Sequence, residues 1–290
     1  MEIPTVNELE TQLFGAIRYG NLQEVHALMQ KGINLDCKND YGQSPLHYAA
    51  IYGKEKIVEL LLEKGANIDE KDFKEMTPLQ IAVLSQELHF AIYHGHEQII
   101  EALISKGANI NVRDSNGFFP IHKAVMNDQI AIVEILLRNG ANIEAECENF
   151  SETPICYAIQ YGFTEMVKVL LRYGARIDQP NRRTSIYPIE NAIFCNNKAI
   201  LEILLKTKPN LNHSIFKILL HQTVLGGNVE FVEMLIEYRL EVNSYVSAIH
   251  LAITHNRDIP IKITEMLFRK GASAKIRNQE RECQETCSTQ

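Results

Sequence analysis

No apolar run in this 290-residue chain approaches the roughly 18 residues that a bilayer-spanning helix needs, so a membrane segment is not expected. The opening MEIPTVNELETQ carries acids early and lacks the basic start and apolar stretch of a secretory leader. An intracellular protein, cytoplasmic or also nuclear, is the expectation. The six cysteines, at 37, 147, 156, 195, 283 and 287, form no CxxC pair and no disulfide or zinc spacing, so reduced thiols are expected. Asn149-Phe150-Ser151 and Asn212-His213-Ser214 fit the glycosylation pattern, but without a secretory route they read as chance matches. Positive charge is in short supply: 29 Lys and Arg face 36 Asp and Glu, a net charge of −7 with pI near 5.8. Nucleic-acid binding rests on a concentrated basic surface, and Arg182-Arg183 alone does not make one. The GxxxxGK[ST] phosphate loop, the GxSxG elbow and HExxH are all missing, so no catalytic, cofactor-binding or metal-ligating residue is assigned.

What the chain has instead is recurrence. The prolines Pro45, Pro78, Pro120, Pro154 and Pro188 stand 33, 42, 34 and 34 residues apart. Gly32, Gly65, Gly107, Gly140 and Gly174 follow at 33, 42, 33 and 34. A repeat near 33 residues implies small units that each pack on their neighbours, not one folded globule. Hydrophobic residues at 46% and charged ones at 22% are ordinary for such a chain.

One copy, DYGQSPLHYAAIYGKEKIVELLLEKGANIDEKD from Asp40 to Asp72, shows how a unit is built. Asn39-Asp40-Tyr41-Gly42 has tight-turn chemistry, because Gly supplies the positive φ and Asn and Asp tolerate it. Ser44-Pro45 then opens a helix: Ser caps free amides, and Pro at the first helical position gives up only a donor that would be unpaired anyway. This helix is expected from Pro45 to about Tyr52, with Leu46, Ala49 and Ala50 inward, and Gly53 stops it. A second helix, about Glu55 to Lys64, turns Ile57, Val58, Leu60, Leu61 and Leu62 to the core and ends at Gly65 as a left-handed cap.

These residues resemble the ankyrin-repeat family, whose turn Asp-Gly, TPLHxAAxxGH and IVxxLLxxGAxxN pattern this copy matches closely. The resemblance implies an all-α solenoid of helix-turn-helix units joined by hairpin turns, about seven or eight repeats over residues 1–278. The expected copies are 7–38, 39–71, 72–113, 114–147, 148–181, 182–212, 213–243 and 244–278. The first and last are degenerate, and the polar residues 279–290 are expected to be disordered. The pattern also breaks in places. Its turn glycine is Glu75, Ser151 and Ser185 in three copies, and its histidine becomes Gln80, Cys156 and Glu190. The remaining histidines, His47, His122 and His250, read as structural ties from hairpin to helix.

The copy at 72–113 carries nine surplus residues in TPLQIAVLSQELHFAIYHGHEQII. Nine residues make about two and a half turns, which would throw a continuous helix's apolar stripe onto the opposite face. An interruption near Leu84 to Glu87 is therefore expected, with Leu88, Ala91 and Ile92 resuming the packing. His94-Gly95-His96 offers two imidazoles but no third ligand, and Gly95-His96 fits the helix-to-helix turn.

Partners of this family usually lie across the hairpin tips and the first helices. The tips here offer Tyr41, Phe73, Phe118 and Phe150, large apolar residues where a bare turn would be polar. The residue before each helix-ending glycine reads Tyr19, Tyr52, His94, Asn127 and Tyr161. Stacked helices lie about 8 to 10 Å apart, so these residues should form a column. Tyrosine gives a large rigid contact with one hydroxyl at small entropic cost. The resemblance implies a non-enzymatic scaffold, monomeric on its own, that binds a partner protein as an adapter or inhibitor in signalling. Alternatives are an ankyrin segment of a larger protein, such as a ubiquitin-ligase substrate receptor, channel or enzyme regulatory region, or a host-interacting effector.

Overall fold

A computed structural model describes residues 6–85, 95–207, 213–238 and, near the end, 262, 263, 265–267 and 269. Helices come in pairs. In the first compact unit, which holds the chain up to Arg176 together with Asn181–Arg183, the first helices are α1 (Val6–Tyr19), α3 (Pro45–Ile51), α5 (Pro78–Ser85), α7 (Pro120–Met126) and α9 (Pro154–Gln160). Each is followed by a second helix: α2 (Leu22–Gln30), α4 (Glu55–Glu63), α6 (Gly95–Ser105), α8 (Ile130–Arg138) and α10 (Thr164–Arg172). First helices pack on first helices and second on second along the unit, giving two layers with the core between them. The second unit, which includes residues 184–290, has the pairs α11 (Pro188–Phe194) with α12 (Lys198–Lys206) and α13 (His213–Leu225) with α14 (Val229–Tyr238). Its core includes Ile189, Ile200, Leu204, Phe216 and Leu235, each fully buried.

Local chemistry sets the boundaries. Ser44 caps α3 in a reciprocal box: the His47 amide donates to Ser44 Oγ, and the Ser44 amide donates back to His47 Nδ1. Leu46, Ala49 and Ala50 are fully buried, and the two alanines admit the neighbouring helices closely. Of the apolar residues on α4, Ile57, Val58 and Leu61 reach the core, while Leu60 and Leu62 are half-buried. In the first helix pair, the exposed residues of α1 and α2 are mostly polar, among them Gln12, Gln23, Glu24 and Gln30.

Among the described residues no β-strand forms; the hairpins are tight turns held by side chains. Asn39 Oδ1 accepts the amides of Tyr41 and Gln43, Asp72 Oδ1 those of Lys74 and Met76, and Asp114 Oδ1 those of Asn116 and Phe118. Consecutive hairpins are joined by single backbone bonds, Phe73 amide to Tyr41 carbonyl at 3.3 Å and Ser115 amide to Lys74 carbonyl at 3.1 Å. A second ladder runs past the ends of the second helices, where each copy's amide finds a side chain one copy earlier. Asn67 donates to Asp36 Oδ1 at 2.9 Å, Asn109 to Asp69 Oδ1 at 3.0 Å, Asn142 to Asn111 Oδ1 at 2.9 Å, and Arg176 to Glu144 Oε1 at 2.7 Å.

The three residues standing where the turn glycine is expected keep glycine's backbone: φ is +60° at Glu75, +51° at Ser151 and +58° at Ser185. For a residue with a Cβ this conformation costs about 1 to 2 kcal/mol, part of which glycine's greater freedom in the unfolded chain would offset. Glu75→Gly and Ser151→Gly together should therefore raise stability by about 1 to 2 kcal/mol, read as a higher urea midpoint. The exposed Lys71–Glu75 ion pair lost in the first change is worth a few tenths at most. Unchanged or lowered stability would show that the turns carry no such strain.

The described part of the irregular copy ends α5 at Ser85, and α6 opens at Gly95. The expected takeover by Leu88, Ala91 and Ile92 falls outside the described residues. His250 lies outside them as well.

Candidate functional site

The histidines act as expected where they are described. His47 Nε2 meets the Met76 carbonyl at 2.9 Å and His122 Nε2 the Glu152 carbonyl at 3.1 Å, each reaching the hairpin of the next copy. Gln80 does the same without an imidazole. Its Oε1 accepts the Thr77 amide at 2.9 Å, and its Nε2 donates to the Val112 and Phe118 carbonyls. Glu190 keeps the local half of the pattern, accepting the Tyr187 amide at 2.7 Å and the Gln222 side chain at 3.2 Å. Cys156 accepts the Thr153 hydroxyl of its own copy. Burial pushes the Cys37 thiol up to about 11 and the Cys156 thiol up to about 12, so neither is an activated thiolate. Among the described residues, no group of three His, Cys, Asp or Glu is placed to hold a metal ion.

Three of the four tip residues stand out into solvent: Tyr41 is 72% exposed, Phe73 73% and Phe150 59%. The Phe73 ring lies across Gly42, where a Cβ would collide with it, so that glycine serves both its positive φ and the aromatic beside it. Phe118 differs from the other three. It follows the left-handed Gly117, which turns it inward, and it is half-buried against the rings of His122 and Tyr157 at 6.1 and 6.0 Å, with Lys123 Nζ 4.6 Å from its own centroid.

The residues ahead of the helix-ending turns fall into two aromatic groups in the first unit. In the first, Tyr52 is half-buried and meets Tyr48 edge-on at 4.8 Å, which in turn meets Phe14 at 5.2 Å. Tyr19, 83% exposed, stands beside Arg18, whose guanidinium lies 5.8 Å from the Tyr52 ring centroid. In the second, Tyr161 is 55% exposed and stacks between Tyr157 at 6.3 Å and Phe163 at 5.6 Å. Asn127 is half-buried, and its Nδ2 has no hydrogen-bond partner among the described residues. His94 lies outside the described residues. Sequence reading passed over Phe14, Tyr48, Tyr157 and Phe163, although the aromatics at 48 and 157 stand at the same place, three residues after the turn proline of their copies.

Paired short helices, the first of each pair from α3 to α11 opened by a proline, closed by left-handed turns and stacked in two layers define a helical repeat protein. The family model described as ankyrin repeats (3 copies) matches residues 13–87 and 88–181, more than half of the chain, and the chain belongs to the ankyrin-repeat family. No curated protein matches it. Ankyrin repeats generally mediate protein–protein interaction. No helix among the described residues is long and apolar enough to cross a membrane.

Proposed function

We propose that this chain is a non-enzymatic scaffold that holds a partner protein against its first helices and hairpin tips. The observation carrying this reading is the exposure of Tyr19, Tyr41, Phe73, Phe150 and Tyr161, each more than half open to solvent on elements whose other large apolar side chains are largely buried. The proposed contact set is those five with Tyr52 and Asn127. Phe118 backs the Tyr157 ring from beneath, and His94 belongs to the set by its place in the repeat. An interface of this kind takes about 20 to 30 residues per side, which five stacked helix pairs supply. On the same reading the repeat units continue through α14 to about residue 278. The protein acts in the cytoplasm or nucleus as an adapter or inhibitor, monomeric until its partner binds.

The test is an affinity capture from cell lysate with wild type beside Tyr52→Ala/Tyr161→Ala, read by mass spectrometry and followed by titration of any protein retained. One protein retained by wild type should lose about 2 kcal/mol or more of binding to the variant, some 30-fold, as aromatic anchors at interface centres do. The double variant should stay folded, its circular dichroism melting curve lowered by less than that of Leu61→Ala. Identical partners with equal affinity for both proteins would make these tyrosines packing residues and remove the basis of the proposal.

A further inference from the structure

We propose that the partner brings a carboxylate, with an apolar side chain next to it, to a seat formed by Arg18, Tyr19 and Tyr52. This rests on the first-helix face being the binding face. Arg18 sits in the last turn of α1, exposed, with its guanidinium over the Tyr52 ring. That ring is held from behind by Tyr48, whose hydroxyl accepts from that of Tyr52 at 3.5 Å, and Tyr48 is in turn backed by Phe14. A guanidinium beside an aromatic face retains a planar fork of donors, and that fork fits a carboxylate bidentately. Arg18 makes no ion pair among the described residues. The helix dipole would account for an arginine at the end of α1, but not for the aromatic seat beneath it.

Charge elsewhere in the unit points the same way. Helices α3, α5, α7 and α9 contain no Asp or Glu. Their single cation, Lys123, is already neutralised by the buried Asp114 at 3.1 Å. Glu8 and Glu10 of α1 stand ten and eight residues before Arg18, about 12 Å or more up the helix axis. The second helices α4, α6, α8 and α10, by contrast, carry seven glutamates against four cations, Lys56, Arg138, Lys168 and Arg172, and so remain net acidic. An acidic segment is thus repelled by the second-helix layer and admitted on the first, where Arg18 can pair with it. The exposed Tyr19 ring beside the guanidinium supplies the apolar half of the contact. The second aromatic group, at Tyr157 and Tyr161, lies three copies further along, roughly 24 to 30 Å at ordinary helix spacing. An extended segment of about eight residues spans that distance.

The test selects peptides from a random 12-residue display library on the full chain. The best binder, fluorescently labelled, is then titrated by anisotropy against wild type, Arg18→Glu, Arg18→Lys and Tyr52→Ala/Tyr161→Ala, with circular dichroism confirming that each is folded. Selected peptides should carry Asp or Glu next to a large apolar residue. The best should bind Arg18→Glu at least 10-fold more weakly, bind Arg18→Lys with an intermediate loss, and recover on Arg18→Glu when its own acid is replaced by Lys. Peptides without such an acid that ignore Arg18→Glu but lose affinity for the tyrosine variant would overturn the carboxylate seat and leave the first-helix face standing. Peptides indifferent to all three variants, or no selected peptide at all, would overturn both.

Discussion

Leu61→Ala should lower stability by about 2 to 5 kcal/mol, whereas Tyr19→Ala should change it by no more than about 0.5 kcal/mol. Both residues are large and both lie on helices of the first unit, so the contrast isolates what burial does. Leu61 is fully buried in α4, and truncating it leaves a hole bounded by side chains that already interdigitate, among them the buried Ile57 and Val58 of the same helix. Tyr19 is 83% exposed, so its ring loses little on truncation that water does not restore. Tyr52→Ala belongs between the two, because half of that ring is packed against Tyr48. Urea denaturation followed by circular dichroism decides the matter. A Tyr19→Ala loss as large as that of Leu61→Ala would mean that the aromatic column is part of the core, and the proposed binding face would go with it.

The helix pairs were legible because their signals are local. Proline at the first helical position, a capping Ser and a left-handed glycine act within a few residues, so α3 and α4 begin at the expected Pro45 and Glu55 and end within one residue of the expected Tyr52 and Lys64. The turns at Glu75, Ser151 and Ser185 show the limit of that logic. Losing the glycine looked like a departure from the pattern, yet the backbone keeps the left-handed shape there. In the Glu75 turn, hydrogen bonds donated by the amides of Lys74 and Met76 to the Asp72 carboxylate hold it against the local preference of the side chain. The ladder from Asp36 to Asn67, and from each copy to the next, was not legible, since it depends on the register between copies and not on spacing within one.

The candidate face was legible only by position. Counting back from the turn glycine found Tyr19, Tyr52 and Tyr161, but not how differently they are held: one free in solvent, one lying beneath Arg18, one inside a three-ring stack. Phe118 was grouped with Tyr41 and Phe150 because all three sit near the tip. Tyr41 and Phe150 precede the left-handed residue and Phe118 follows it, and that shift of two positions across the turn reverses the side chain's direction. Supporting rings such as Tyr48 and Tyr157 share a place three residues after the turn proline, but an aromatic on a short apolar helix reads first as core.

Acid should weaken the array through its hairpin histidines. Each accepts an amide at Nδ1, from Ser44 in His47 and from Phe119 in His122, and turns Nε2 to a carbonyl of the next hairpin, so the neutral ring with its proton on Nε2 satisfies both partners. At His122 a proton added at Nδ1 would face the Phe119 amide hydrogen, whereas at His47 the Ser44 hydroxyl, 2.8 Å from Nδ1, can turn to accept it, so the larger effect is expected from His122. Burial holds His122 down to about 4, with Arg113 lowering it further while its carbonyl bonds and Asp114 pull the other way. His47 is lowered in the same direction by the same cause, and Lys38 adds to the effect. Because the folded state binds the proton less readily than the unfolded chain, whose histidines titrate near 6.5, the contribution is complete above that value. It falls away as pH drops from about 6.5 toward 4. For His122 alone the loss at pH 4.5 is about 2 to 3 kcal/mol. Gln80 shows how to remove the effect without removing the tie, since its amide makes the same two connections and does not titrate. His47→Gln/His122→Gln should therefore match wild type at pH 7 to within about 1 kcal/mol and keep much more of its stability at pH 4.5, where the urea midpoint of wild type has dropped. If the midpoints of the two proteins fall in parallel between pH 7 and 4.5, carboxylates and not these histidines govern the acid response.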